Sequence, residues 1–266
     1  MNVSQLTEID KRGVNMLPLL VLLLLLVLVS LVYTVYYPPF WIIQYFQRRW
    51  PDVLWHVSTS EKVIALTIDD GPSVYTAEIL EILKANDATA TFFIIGSHVS
   101  NMKEEGDKIL QELIRSGNEL GNHAMDDEPA YKLPDDELVS QINQVDEIIR
   151  KAYEAVNGVS TTVDNDTAFP RYYRPGSGWF TTKMRNIVSR LGYKLVLGDV
   201  YPHDPQIPFA KVNAAHILRM ARPGGIIICH DGRSWTLPML RSLLPELKRK
   251  GYRVVNVTEL LKYASS

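Results

Sequence analysis

From Met16 to Tyr37 the chain reads MLPLLVLLLLLVLVSLVYTVYY, without one charged side chain. A run this long and this rich in leucine sits poorly inside the core of a water-soluble domain. As a helix, ~20 apolar residues rising ~1.5 Å each span the hydrocarbon core of a bilayer. Ser30 and Thr34 can bond back to the helix, and Tyr33, Tyr36, Tyr37 and Trp41 suit an interfacial aromatic belt. A cleaved signal peptide would have a shorter apolar stretch, about 7–15 residues, closed by an A-x-A-like site. No such site follows, so one uncleaved transmembrane helix is expected. Lys11 and Arg12 lie closer to the run than Arg48 and Arg49 do, which weighs toward a cytoplasmic N-terminus and a lumenal or extracellular remainder. The organisation expected is a tail over 1–15, the membrane helix over 16–37, an aromatic, irregular linker over 38–60 and a folded domain over 61–263. Asn165-Asp166-Thr167 and Asn256-Val257-Thr258 fit the glycosylation acceptor pattern.

The remainder reads as globular. Hydrophobic residues make up 46% of the 266 and charged residues 22%, which excludes a disordered chain. With 28 Lys plus Arg against 30 Asp plus Glu, the net charge is −2 and there is no basic footprint for nucleic acid. The single cysteine, Cys229, excludes an internal disulfide. Apolar, β-branched runs fall at Val63–Ile68, Thr91–Ile95, Glu119–Asn122, Tyr172–Arg174, Lys194–Leu197, Ile226–Cys229 and Arg253–Val255. Helix-period stretches separate them at Thr76–Lys84, Lys108–Ser116, Asp135–Tyr153, Thr181–Leu191, Phe209–Ala221 and Leu237–Lys250. Strands alternating with helices imply parallel pairing, an α/β fold, and about seven units suit a small (β/α) barrel.

In such folds chemistry gathers at the carboxyl ends of the strands. The first strand ends in Asp69-Asp70-Gly71-Pro72-Ser73. Adjacent carboxylates repel, and a metal ion bound by one, with the other acting as base, would relieve the conflict; a plain turn would use the same Asp-Gly and Gly-Pro pairs. The third strand ends in Asn122-His123, with Asp126, Asp127 and Glu128 following. His123 and Asp127, four residues apart, share one face of a helical turn, a spacing suited to metal ligation. The fourth ends in Arg174-Pro175-Gly176-Ser177-Gly178, an arginine able to clamp a carboxylate and a turn able to offer backbone N–H groups to an oxyanion. The fifth leads into Asp199-Val200-Tyr201-Pro202-His203-Asp204, and the sixth ends in Cys229-His230-Asp231, whose histidine can protonate a leaving group. Cys229 reads as a buried strand residue, and His56, His98 and His216 as structural or exposed. Each strand end alone has a bland reading; in series they point to a metal-dependent hydrolase.

These residues resemble the polysaccharide deacetylase family, the group of chitin deacetylases and nodulation-type chitooligosaccharide deacetylases. ALTIDDGPS and TAEILEILKANDATATFFIIG are similar to its opening motif and next strand, GNHAMDDEP to the second motif, RYYRPGSG to the third, DVYPHD loosely to the fourth and IIICHDG to the fifth. The resemblance implies a deformed (β/α) barrel that removes acetyl groups from sugar polymers with a divalent metal. N-acetylglucosamine-containing, chitin-like carbohydrate is the substrate expected, another ester or a glycolipid the alternative. It further implies Asp69 as general base, Arg174 as the residue orienting it, the Ser177 N–H as oxyanion donor and His230 as general acid. The family's second motif is H-x-x-x-H; this chain has His123 and Asp127, so the implied ligands are Asp70, His123 and Asp127, with Asp126 or an inward-turned His203 as alternatives. Zinc is the metal expected, manganese or cobalt the alternatives, because two carboxylates and one imidazole form a harder donor set. Tyr201 stands where the catalytic histidine's acidic partner often sits; Asp199 is assigned that role, with Asp204 the alternative. The absent second histidine leaves room for a non-catalytic, glycan-binding relative.

Overall fold

The computed structural model describes residues 16–158 and 169–265. The tail over 1–15 with Lys11 and Arg12, and the Asn165-Asp166-Thr167 acceptor, lie outside the described residues. The chain falls into two units that part after Pro39. The first is one helix, α1 (Met16–Tyr36), whose stretch Leu17–Tyr36 is long and apolar enough to cross a membrane and has none of its side chains buried within the protein. Tyr33, Tyr36 and Tyr37 cluster at its end, with ring centroids 4.6–5.4 Å apart.

The second unit begins with α2 (Phe40–Arg49) and β1 (Val53–Leu54). Strand–helix alternation follows: β2 (Val63–Gly71), α3 (Thr76–Ala85), β3 (Thr91–Ile94), α4 (Gly96–Met102), α5 (Glu104–Arg115), β4 (Glu119–Asn122) and α6 (Asp135–Asn157). Then come β5 (Tyr172–Tyr173), α7 (Thr182–Arg190), β6 (Lys194–Val196), α8 (Ala210–Met220), β7 (Ile226–His230), α9 (Thr236–Arg249), β8 (Arg253–Val255) and α10 (Val257–Leu261). All strand pairs are parallel, in the order β1-β6-β5-β4-β3-β2-β7, with β8 on the first half of β2. The sheet curls until Val200, four residues past β6, bridges Ile227 of β7 and joins its ends. The result is the deformed (β/α) barrel, its seven units matching the seven apolar runs of the sequence.

Local chemistry explains the boundaries. Pro134 precedes α6, and Asp135, Asp136 and Glu137 occupy its first turn, at the positive end of the helix dipole. Thr181 caps α7 by accepting from the Met184 N–H, and Asn256 caps α10 by accepting from the Glu259 N–H. The Asn256 carboxamide therefore serves as a helix cap, and its nitrogen donates to the Gly117 carbonyl. β2 is the hub: it pairs with β3, β7 and β8, and all nine of its residues are buried.

The stretch expected as an irregular linker departs from that reading. Residues 40–54 form α2 and β1, and β1 pairs with β6. The aromatic composition is the cause: Phe46, Trp50 and Trp55 stack on one another 5.0–6.2 Å apart, and Trp50 packs edge-on to Phe180 at 5.1 Å. Rings that would be costly to expose are half-buried against one another and the barrel instead.

Candidate active site at the mouth of the barrel

The mouth is formed where β2, β4, β5 and β7 end. In a regular strand Asp69 and Asp70 would point to opposite faces of the sheet. A register shift in the β2–β3 pairing between Ile68 and Gly71, with Asp70 in the left-handed region (φ 65°), breaks that alternation. Both carboxylates are thereby buried at the mouth, Asp69 3% and Asp70 7% exposed. His98 fixes the unusual backbone by donating from Nδ1 to the Asp70 carbonyl at 2.8 Å.

Asp69 is gripped by Arg174. The guanidinium donates to Asp69 Oδ1 at 2.5 Å and Thr67 Oγ1 at 2.7 Å, and to the carbonyls of Val196 and Leu197 at 3.1 and 2.9 Å. Its plane lies over Phe93, 4.1 Å from the ring centroid. Burial pushes the guanidinium pKa below its ordinary value against the pull of Asp69. No hydrogen bond to Asp69 Oδ2 occurs among the described residues, which leaves that oxygen able to take a proton.

Asp70 faces His123. The carbonyl of Arg174 can only accept, so His123 Nδ1 carries the proton it donates there at 2.6 Å, and Nε2 is the ring nitrogen turned to Asp70. Asp70 Oδ1 and His123 Nε2 stand 3.5 Å apart. Two donors bonded at ~2.0–2.2 Å to one tetrahedral cation stand roughly that far apart, so the pair fits a divalent ion. Burial raises the Asp70 pKa, but His123, then His230 and Arg233, outweigh it and hold the carboxyl at about 2.

His230 ends β7, in register with Asp69. Its Nδ1 donates to Asp204 Oδ1 at 2.9 Å, and its backbone N–H donates to Asp204 Oδ2 at 2.8 Å. Burial lowers the His230 pKa, but Asp204 by charge and hydrogen bond, with Asp69 and Asp70 beyond, lifts it to about 9. The imidazolium form, a proton donor, is thus the resting form near neutral pH.

Asp199 does not fill the role assigned to it. Its Oδ2 pairs with His56 Nδ1 at 3.0 Å, and its Oδ1 accepts from the Ile226 N–H at 2.8 Å. Ile226 opens β7 and His230 closes it, a separation of about 13 Å along the strand. The reason is the bridge at Val200, which lays residues 199–200 along the start of β7. The chain must run on to Asp204 before a carboxylate reaches the strand's far end.

The structure brings Asp70 and His123 together and does not bring Asp127 to them. Side chains at i and i+4 share a face only in a helix, and residues 123–129 are not helical, with Ala124 at φ 66°. Asp126 and Asp127 are exposed. Gly176 packs so tightly on the Glu128 carbonyl that a Cβ there would meet the oxygen at 2.1 Å, which ties this loop to the turn after Arg174. Among the described residues no group of three His, Cys, Asp or Glu side chains could hold a metal ion. His203 packs tilted against Tyr201 and edge-on to His216, with ring centroids 4.6 and 6.0 Å apart. Ser177 sits exposed on the rim in a left-handed conformation (φ 66°).

A family model described as polysaccharide deacetylase matches residues 56–196, more than half of the chain. The chain belongs to the polysaccharide deacetylase family. It is 33% identical over 217 residues to a peptidoglycan-N-acetylglucosamine deacetylase of Bacillus cereus, spanning 79% of this chain and 93% of that one. A chitooligosaccharide deacetylase of Azorhizobium caulinodans is 29% identical over 211 residues, 74% of this chain and 93% of that one. Among solved structures, a carbohydrate esterase family 4 pseudoenzyme from Bacillus anthracis superposes with a TM-score of 0.67 at 27% identity, over 80% of this chain and 70% of that one. A mutant of that pseudoenzyme is described as having restored enzymatic activity.

Within this deacetylase fold, several residues that shape the site were not legible in the sequence. Arg233 donates from Nη2 to Asp70 Oδ2 at 3.3 Å. Asp231 accepts from Ser73 Oγ, Thr76 Oγ1 and the Gly232 N–H, and its own N–H donates to the Asp69 carbonyl, knotting the loops after β2 and β7. His98 stands next to motif residues only in space, and although Asp231 belongs to the IIICHDG motif, nothing in its sequence position signals its contacts with Ser73 and Thr76.

Proposed function

We propose that this protein is a membrane-anchored hydrolase that removes acetyl groups from N-acetylglucosamine-containing glycan, with a divalent metal held by Asp70 and His123. One observation carries the reading: Asp69, clamped by Arg174 at 2.5 Å, lies beside the Asp70–His123 pair and in register with His230, itself seated on Asp204. The B. cereus and A. caulinodans relatives, named for peptidoglycan N-acetylglucosamine and for chitooligosaccharide, support an N-acetylated glycan. A bound metal, zinc or a harder ion such as manganese, would polarise the acetyl carbonyl and acidify water. Asp69 Oδ2 accepts the proton of the attacking water. Arg174 orients Asp69, and the Ser177 N–H supports the oxyanion. His230 gives its proton to the departing amine, and Asp204 holds the imidazole in place. Asp70 and His123 would hold the metal, and Asp127 would join them only if its loop turned inward. The helix α1 anchors the chain in a membrane, with the barrel on the lumenal or extracellular side.

The test is acetate release from chitooligosaccharides and from peptidoglycan fragments with added zinc or manganese. Asp70→Asn is expected to abolish both release and metal uptake; a variant with wild-type turnover would overturn the assignment. A second reading, a glycan-binding relative without turnover, draws support from the two-donor metal pair and the B. anthracis pseudoenzyme. It predicts retained glycan binding with no acetate released at any metal concentration.

A further inference from the structure

The cation seated on Asp70 is a guanidinium. Arg233 follows Gly232 at the exit of β7, and its carbonyl accepts from the Thr236 N–H at 3.0 Å, which fixes its main chain at the start of α9. Gly232 donates to Ser73 Oγ at 3.2 Å and to Asp231 Oδ1 at 2.7 Å, so the loop that bears Arg233 is tied to the loop that bears Asp70. The two oxygens of Asp70 are divided: Oδ1 faces His123 Nε2 at 3.5 Å, while Oδ2 takes Arg233 Nη2 at 3.3 Å. The Arg233 side chain is 32% exposed, unlike Arg174 at 3%, so it can swing outward.

We infer that Arg233 is a built-in counter-ion of the metal pair, which neutralises Asp70 while no cation is bound and keeps the site's affinity for divalent ions low and exchangeable. The inference rests on the reading of Asp70 and His123 as metal donors. Charge balance at the mouth supports it: Asp69 is matched by Arg174 and Asp70 by Arg233, so no net negative charge draws a cation in. A divalent ion on Oδ1 must share one carboxylate with a guanidinium already on Oδ2, and like charges that close repel strongly where water is scarce. Among the described residues only these two protein donors are gathered, and no third one compensates. Because Arg233 is partly exposed, its effect is open to screening by salt.

The experiment is calorimetric titration of zinc and of manganese into the full chain in detergent, first stripped with chelator, for wild type, Arg233→Gln and Arg233→Lys. Arg233→Gln is expected to bind each ion about tenfold more tightly than wild type, with Arg233→Lys close to wild type and the gap narrowing as salt is added. Cooperative melting of the stripped variants at the wild-type temperature shows that the fold is intact. Unchanged or weaker binding by Arg233→Gln overturns the inference while leaving the metal reading in place. No uptake by any of the three chains overturns the metal reading, and the inference with it.

Discussion

Arg174 is the residue on which the mouth turns. Four of its five N–H groups are taken by one carboxylate, one hydroxyl and two carbonyls, and it is 2% exposed. Arg174→Ala would strand Asp69 as a buried, unmatched charge, and the expected loss is about 3–5 kcal/mol, read from urea unfolding. Arg174→Lys keeps the charge but loses the fork, and is expected to recover only part of that loss. His230 carries the pH dependence. Its pKa, about 9 in the fold, exceeds the ~6.5 of an unfolded histidine. In the metal-free protein the Asp204–His230 pair therefore adds its full stabilisation below about pH 6.5 and loses it as pH rises through about 9. Asp204→Asn is expected to flatten that loss in urea midpoints measured against pH. In the catalytic assay the same variant should pull the alkaline limb of the rate profile to lower pH and reduce turnover about 10²–10⁴-fold, the usual worth of a positioned general acid. An unmoved limb would remove Asp204 from this role.

The secondary-structure elements show which kinds of information a sequence carries. The seven principal strands were visible as β-branched apolar runs, and the helices between them as 3.6-residue periods, because both patterns are local. β1, with two residues, and α4, with seven residues opening on Gly96, are too short to show a period. α2 was hidden by its aromatic residues, which signal packing partners and no particular backbone. A chain beginning at Phe40 is expected to fold and melt cooperatively, whereas one beginning at Glu61, without β1 and the Phe46–Trp50–Trp55 stack, should aggregate or melt well below it. Site residues fixed by strand ends, namely Asp69, Asp70, His123, Arg174 and His230, were legible for the same local reason. Asp199 and Asp127 failed because each depended on a fact outside its own segment: the register of residues 199–200 against β7, and the left-handed turn at Ala124. Gly176 tests the second of these. Gly176→Ala would drive a methyl group into the Glu128 carbonyl, and a cost of about 1–3 kcal/mol in thermal or urea unfolding is expected.

At the scale of the whole molecule, two units with differently composed surfaces share one chain. α1 presents leucine on every side, whereas the barrel encloses its apolar side chains within a ring of parallel strands. The full chain is expected to partition into the detergent phase on phase separation, and the chain beginning at Phe40 into the aqueous phase. The barrel belongs to the polysaccharide deacetylase family, and its mouth gathers the residues proposed as base, clamp and acid, with two proposed metal donors among the described residues. The measurement that tests this most directly is acetate release from N-acetylglucosamine oligomers by the metal-supplemented full chain, beside Asp69→Asn. Release that requires added zinc or manganese and vanishes in Asp69→Asn is expected. Equal release by the two chains, or none by wild type across all metal concentrations, would contradict a working deacetylase at this mouth.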